Sequence, residues 1–126
     1  MSFEDLRQSP MMEHMLDALE EGEDIGHYGR LTFAMVARYF VETEELVALL
    51  AKDDDASEQE ARALVQQVEE KDYNPPRQEK ILQWQEQQDF QICPTPDDPD
   101  SCNVYNELTF PEGLYEDIQE YREEKA

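Results

Sequence analysis

Two cysteines, Cys93 and Cys102, and two histidines, His14 and His27, carry the most specific chemistry this chain offers. Two thiolates and two imidazoles make the ligand set of a structural zinc site. Such sites use tight spacings of the C-x2-C and H-x3-5-H kind, which place both ligands of a pair on one turn. Here eight residues lie between the cysteines, and the histidines stand thirteen positions apart on a different segment. The spacing argues against zinc, and no metal or other cofactor is expected. A disulfide closing the 93–102 loop is sterically possible. Two cysteines are too few for the disulfide scaffold of a small secreted protein, so the simplest reading keeps both thiols reduced.

Other constellations fall short in the same way. Asp97, Asp98 and Asp100 are acidic enough for calcium, but an EF-hand loop needs a glycine at its sharp turn and a closing glutamate. Pro99 interrupts the aspartates instead, and the segment reads as a solvated acidic turn. The glycines do not form a phosphate-binding loop, and no G-x-S-x-G is present. Carboxylates are so abundant that two in proximity carry no message about acid–base catalysis. His27, beside Tyr28 at the mouth of an apolar stretch, is the first place to look for a perturbed group, yet its ordinary reading is a helix-start histidine. The chain is therefore not expected to be an enzyme. Arg30 and Arg38 remain. Eight positions apart, they fall on one side of a helix about two turns from each other, with Ala34 between them. They fit either pairing with surface carboxylates or a small groove for an acidic group or a partner's backbone.

Charge sets the function classes. The chain of 126 residues has 10 basic and 32 acidic side chains, a net −22, and acids exceed bases in every third of it. Electrostatics oppose contact with DNA, RNA or an anionic membrane. A partner with a basic surface is favoured. The N-terminus places acids where a secretory signal needs bases and has no apolar run, which suggests a cytoplasmic protein.

These residues must be positioned by helices. The stretch Arg30 to Val41 is apolar on nearly every side, so it reads as a central helix buried by its neighbours; it is too short to span a bilayer. Before it, Met12, Met15, Leu16 and Leu19 have the spacing of an amphipathic helix, capped by Ser9 with Pro10 at its first position and stopped by Gly22. Residues 22–29 form a connector in which Asp24 is a plausible cap, and the central helix is expected from about Tyr28. Ser2 to Pro10 reads as a loose lead-in. After it, Glu42 to Glu45 crowd negative charge where a helix start favours it, and a separate helix over 43–52 follows with Leu46, Val47, Leu49 and Leu50 inward. Ser57 and Glu60 fit a capping box for a helix to about Lys71. Pro75 and Pro76 end one helix and open the next, Arg77 to Gln88, with Trp84 as its anchor.

The fold class is thus all-α: about five or six short helices around a buried central helix, spanning 1–92, with an irregular acidic C-terminal arm, 93–126, packed on it as part of one domain. Residues from Asp89 lose helical period and gain prolines, yet keep Phe90, Ile92, Val104, Tyr105, Leu108 and Phe110. A minimal strand pair, 90–92 with 103–105, is conceivable, and Thr109-Phe110-Pro111-Glu112 fits the start of a last helix. Tyr105, Phe110 and Tyr115, with Asp97, Asp98 and Asp100, are the expected partner surface, because aromatics enrich interface centres and acids their rims. The function this favours is a non-enzymatic protein-binding adaptor or assembly factor. A DNA mimic that occupies a basic nucleic-acid site is the alternative, and a small enzyme the third. The 30–41, 43–52 and 58–71 helices resemble a helix-turn-helix only in order: the third carries Glu58, Glu60, Glu69 and Glu70, where DNA binding needs bases.

Overall fold

A computed structural model describes residues 3–53, 56–71, 74–76, 78–94 and 108. Among them the chain is all-α, with helices α1 (Phe3–Leu6), α2 (Pro10–Glu20), α3 (Gly26–Ala37), α4 (Thr43–Leu50), α5 (Glu58–Lys71) and α6 (Gln78–Gln85) and no strand. Helix α3 packs against α2, α4, α5 and α6, and α4 lies along α5. Residues Thr32 to Ala37 are buried in unbroken succession. A helix in contact on that many sides must be apolar all round, which is the pattern its sequence shows.

Local chemistry explains most of the boundaries. Ser9 is extended and its Oγ accepts from the Met12 N–H at 3.3 Å; Pro10 adds a preset φ at the first turn. Past Glu21 the chain reverses at Gly22, whose φ of +78° suits a residue without Cβ. Helix α5 begins as a capping box: Ser57 Oγ accepts from Glu60 N–H at 3.1 Å and donates to Glu60 Oε1 at 3.3 Å. Met11, Met12, Met15, Leu16 and Leu19 of α2 meet Phe33 of α3, Leu46 and Leu50 of α4, Val65 and Val68 of α5 and Ile81 of α6 in one core.

Four boundaries differ from the expectation. The N-terminal lead-in contains α1, whose Leu6 is fully buried while Phe3 packs at the margin of the core. The i, i+3 pair Phe3/Leu6 is enough to dock one turn once a core exists to receive it. The central helix starts at Gly26 and ends at Ala37; Arg38 to Phe40 continue as a tighter turn, in which the Phe40 N–H bonds to the Ala37 carbonyl at 2.9 Å and keeps the Phe40 ring inside. Glu42 is extended, so α4 is a separate helix, as expected. Helix α6 is shorter than its period suggests, because Gln85 and Gln88 turn to the backbone of the segment that follows. The residues of that segment, 89–94, hold Ile92 and Cys93 fully buried and Phe90 half-buried, and Leu108 is also in the core. The helix expected after Thr109 and the second member of the proposed strand pair lie outside the described residues.

Candidate functional site

Two arginines on α3 and just past it stood out in the sequence, and the fold uses them differently. Arg30 keeps only 11% of its side-chain surface exposed and bridges Asp24 at 3.3 Å and Asp53 at 3.1 Å. The Asp53 side chain is completely buried; its second oxygen accepts from the Ile25 N–H at 2.9 Å. One carboxylate thus ties the end of α4 to the start of α3 through both a guanidinium and a backbone amide. Ala34, between Arg30 and Arg38, is fully buried, so the stripe joining the two arginines is covered rather than open. Arg38 lies at the C-terminus of α3, half-buried, with its guanidinium carbon 4.3 Å from the centre of the Tyr39 ring and Nη2 donating to the Tyr39 hydroxyl. It also lines a cavity of about 60 Å³ with Val41, Thr43, Leu46, Val65 and Glu69. Thr43 donates across its rim to the Glu69 carboxylate, at 3.0 and 3.2 Å from its two oxygens.

The remaining described arginines, Arg7 and Arg62, pair with acids at the surface. Arg7 reaches Asp17 at 2.9 Å and stands within 3.5–3.7 Å of Glu20, Glu13 and Glu4. The hydrogen bond to Asp17, with the surrounding negative charge, raises the Arg7 pKa further. Arg62 of α5 forms a two-pronged pair with Glu44 of α4 at 2.7 and 2.9 Å, with Glu58 at 3.6 Å. Those hydrogen bonds, then the opposite charge each group faces, hold the Glu44 carboxyl below the usual glutamate range and push Arg62 up. Among the described residues the outcome is a surface dominated by acids. Every described acidic residue is exposed except Asp5 and Asp53, and among the described Lys and Arg side chains the exposed ones are Lys52, Lys71 and Lys80.

An aromatic platform lies where α3 meets α6. Trp84 and Tyr28, both half-buried, stack with ring centres 5.6 Å apart and planes 13° from parallel. His27, exposed, meets Tyr28 edge-on at 5.4 Å. The Lys80 ammonium lies 5.7 Å over the Trp84 ring, inside the range of cation–π attraction. Glutamines set this platform in place. The Tyr28 hydroxyl donates to Gln87 Oε1 at 3.2 Å, and the Tyr28 N–H donates to Gln88 Oε1 at 3.0 Å. The Gln88 amide nitrogen donates in turn to the Ile25 and Phe90 carbonyls. Ile25 offers helix α3 no side-chain cap; Asp24, expected from the sequence to cap it, accepts from the Gly26 N–H at 2.8 Å, and Gln88 adds a second cap from across the fold. Gly26 leaves room for it: φ is +78°, and a Cβ there would collide with the Gln88 amide.

The zinc candidates are engaged elsewhere. His14 stacks on Phe90 at 4.9 Å and its Nε2 bonds to the Gln91 carbonyl at 2.9 Å, which requires the proton on Nε2. Cys93 is fully buried and disulfide-bonded, so the reduced state expected of the thiols does not hold there. Its N–H and carbonyl are fixed by Gln85 and Gln91, each at 2.8 Å. That order suits a crosslinked position. Among the described residues no group of three or more His, Cys, Asp or Glu side chains is placed to hold a metal ion, and no helix is long and apolar enough to cross a membrane. Asp97, Asp98, Asp100, Cys102, Tyr105, Phe110 and Tyr115 lie outside the described residues. The aromatic platform was not read from the sequence, although the glutamine-rich run around Trp84 was its signal: amides in that number offer donors and acceptors for irregular backbone. No protein-family model, curated protein or solved structure matches the chain.

Proposed function

We propose that this chain is a non-enzymatic adaptor that binds another protein through that protein's basic surface. One observation carries the reading: among the described residues Arg7, Arg30 and Arg62 are drawn into pairs with acids of neighbouring elements, while nearly every described acid is exposed. Unpaired surface carboxylates attract a basic partner at long range and repel nucleic acid and anionic lipid. Such attraction speeds encounter more than it deepens affinity, which suits a factor that joins and leaves an assembly.

Affinity capture with the full chain from its native lysate at low salt tests this. The expected result is a protein whose binding face is basic, released as salt is raised toward a Debye length of about 3 Å, and not displaced by duplex DNA. Release by DNA at matched ionic strength would assign the chain to DNA mimicry instead. Capture of partners without a basic face would overturn the reading.

A further inference from the structure

We propose that Cys93 and Cys102 form a structural disulfide that staples the 89–94 segment to the helices, and that the chain matures in a compartment where disulfides form, not in a reducing cytoplasm. Cys93 is disulfide-bonded, and Cys102 is the only other cysteine of the chain, so a bond within the chain joins these two. From Asp89 to Pro94 the backbone follows no helix or strand, and side chains supply its partners. Gln85 accepts from the Cys93 N–H and Gln91 donates to the Cys93 carbonyl, each at 2.8 Å. Gln88 donates to the Phe90 carbonyl, and His14 of α2 to the Gln91 carbonyl at 2.9 Å. The same Gln88 accepts from the Tyr28 N–H at the start of α3. A crosslink at Cys93 therefore fixes a segment on which the start of α3 and one face of α2 both depend.

The surroundings of Cys93 separate a staple from a redox sensor. Sensor cysteines are exposed and sit in electropositive surroundings that favour the thiolate. Cys93 has no exposed surface and belongs to the apolar core with Ile92, in a chain of net −22. Reduction requires a thiolate to attack one sulfur and the other sulfur to depart as a thiolate. An attacker has no approach to the Cys93 sulfur. Attack on its partner makes Cys93 the leaving group, in apolar surroundings that disfavour the charge. Both routes are slow while the fold is intact. Formation is an exchange with a disulfide donor, of the oxidised-glutathione or disulfide-oxidase class. One cysteine thiolate attacks the donor, giving a mixed disulfide and one donor thiol; the second displaces the other donor thiol. Two electrons pass to the donor, and its two sulfurs take up the two protons the cysteines lose. Cytoplasmic thiol systems keep such bonds rare, and those that occur there are mostly transient or sensing. A buried, inert one marks a chain that folds in oxidising surroundings.

Quenching the native source with N-ethylmaleimide before lysis, then weighing the intact chain, reads its state directly. The chain is expected to carry no adduct, to run as a monomer on a non-reducing gel and to fractionate outside the cytosol. Dithiothreitol is expected to reduce it on the order of 100-fold more slowly in native buffer than in denaturing urea. Cys102→Ser removes the bond and leaves the Cys93 packing in place. That variant is expected to melt roughly 10 °C below the oxidised parent, to be insensitive to dithiothreitol, and to exchange its Tyr28 amide faster. If it does not fold, the reduced parent chain supplies the comparison. Maleimide adducts on the quenched chain, a dimer that reduction separates, or oxidised chain in the cytosolic fraction overturns the proposal. Equal rates of reduction in native buffer and urea, or an unchanged Tm without the bond, overturns it as well. None of these readouts depends on surface charge, so the adaptor reading stands or falls separately.

Discussion

Replacing Asp53 by alanine tests the network that joins α3, α4 and the 21–25 connector. The side chain has no exposed surface, and both of its oxygens are in use: one 3.1 Å from Arg30 Nη1, the other accepting from the Ile25 N–H at 2.9 Å. Truncation leaves that N–H, in a fully buried residue, without its acceptor, at a cost of about 1–3 kcal/mol. It also strips Arg30 of its buried partner. Breaking a buried pair from one side costs roughly 3–5 kcal/mol. Arg30 keeps Asp24 at 3.3 Å and some exposure, which puts its share at the low end. The two losses share one carboxylate and are not additive, so about 3–4 kcal/mol is expected for Asp53→Ala. Asp53→Asn keeps an acceptor for Ile25 and loses only the charge, for roughly half of that. Against a typical total of about 5–15 kcal/mol, the alanine variant should be close to the edge of folding at ambient temperature.

Urea unfolding followed by far-ultraviolet circular dichroism gives both values. The double variant Arg30→Met, Asp53→Asn closes a cycle: removing the charge from both partners should cost less than the two single changes together, because neither is left with an unpaired buried ion. A loss below about 1 kcal/mol for Asp53→Ala, or strict additivity in the cycle, would refute the account of Asp53 as the joint between these elements.

Phe33 is fully buried where α3 meets the rest of the core, and Phe33→Ala is expected to cost roughly 3–5 kcal/mol in the same denaturation assay. Gly26→Ala forces a Cβ onto a φ of +78° and into the Gln88 amide; a loss of about 1–3 kcal/mol is expected, with faster amide exchange at Tyr28, whose N–H loses its acceptor. The Glu44 carboxyl is held below its ordinary range in the folded chain, so its contribution is present above the ordinary glutamate pKa and is lost as pH falls through the depressed value. Thermal scans of Glu44→Gln against the parent chain should therefore converge at low pH and separate toward neutrality.

What was legible in the sequence was what local physics decides. Ser9-Pro10 and Ser57-x-x-Glu60 signal helix starts through donors three residues away, and both helices lie where those signals put them. What was not legible was supplied from afar. At the start of α3 the expected cap Asp24 accepts from the Gly26 N–H at 2.8 Å, but the Tyr28 N–H finds its acceptor in Gln88, some sixty positions on. The helix expected to run to Gln88 ends at Gln85 for the same reason, since the Gln85 and Gln88 side chains bond to the backbone of the segment that follows. Arg30 read as either a surface pair or a groove, since nothing local identifies Asp53, in what looked like a polar turn, as its buried partner. Leu6 joined the core from a segment too short to show a period.

The placement of the described arginines also bears on how a protein with net −22 folds. Arg7 gathers acids from α1 and the outer face of α2, Arg30 joins a connector to the end of α4, and Arg62 joins α5 to α4. Each cation neutralises repulsion at a seam between elements, where like charges would otherwise force helices apart. The many exposed acids repel one another through solvent at long range. Added salt acts on the two sets differently. It screens the long-range repulsion of exposed acids strongly, and the close pairs of half-buried arginines less, so moderate salt favours the compact state. Under the proposed adaptor function the same screening weakens attraction to a basic partner. Stability and partner affinity should therefore move in opposite directions with ionic strength, and a loss of binding at higher salt cannot be ascribed to loss of the fold.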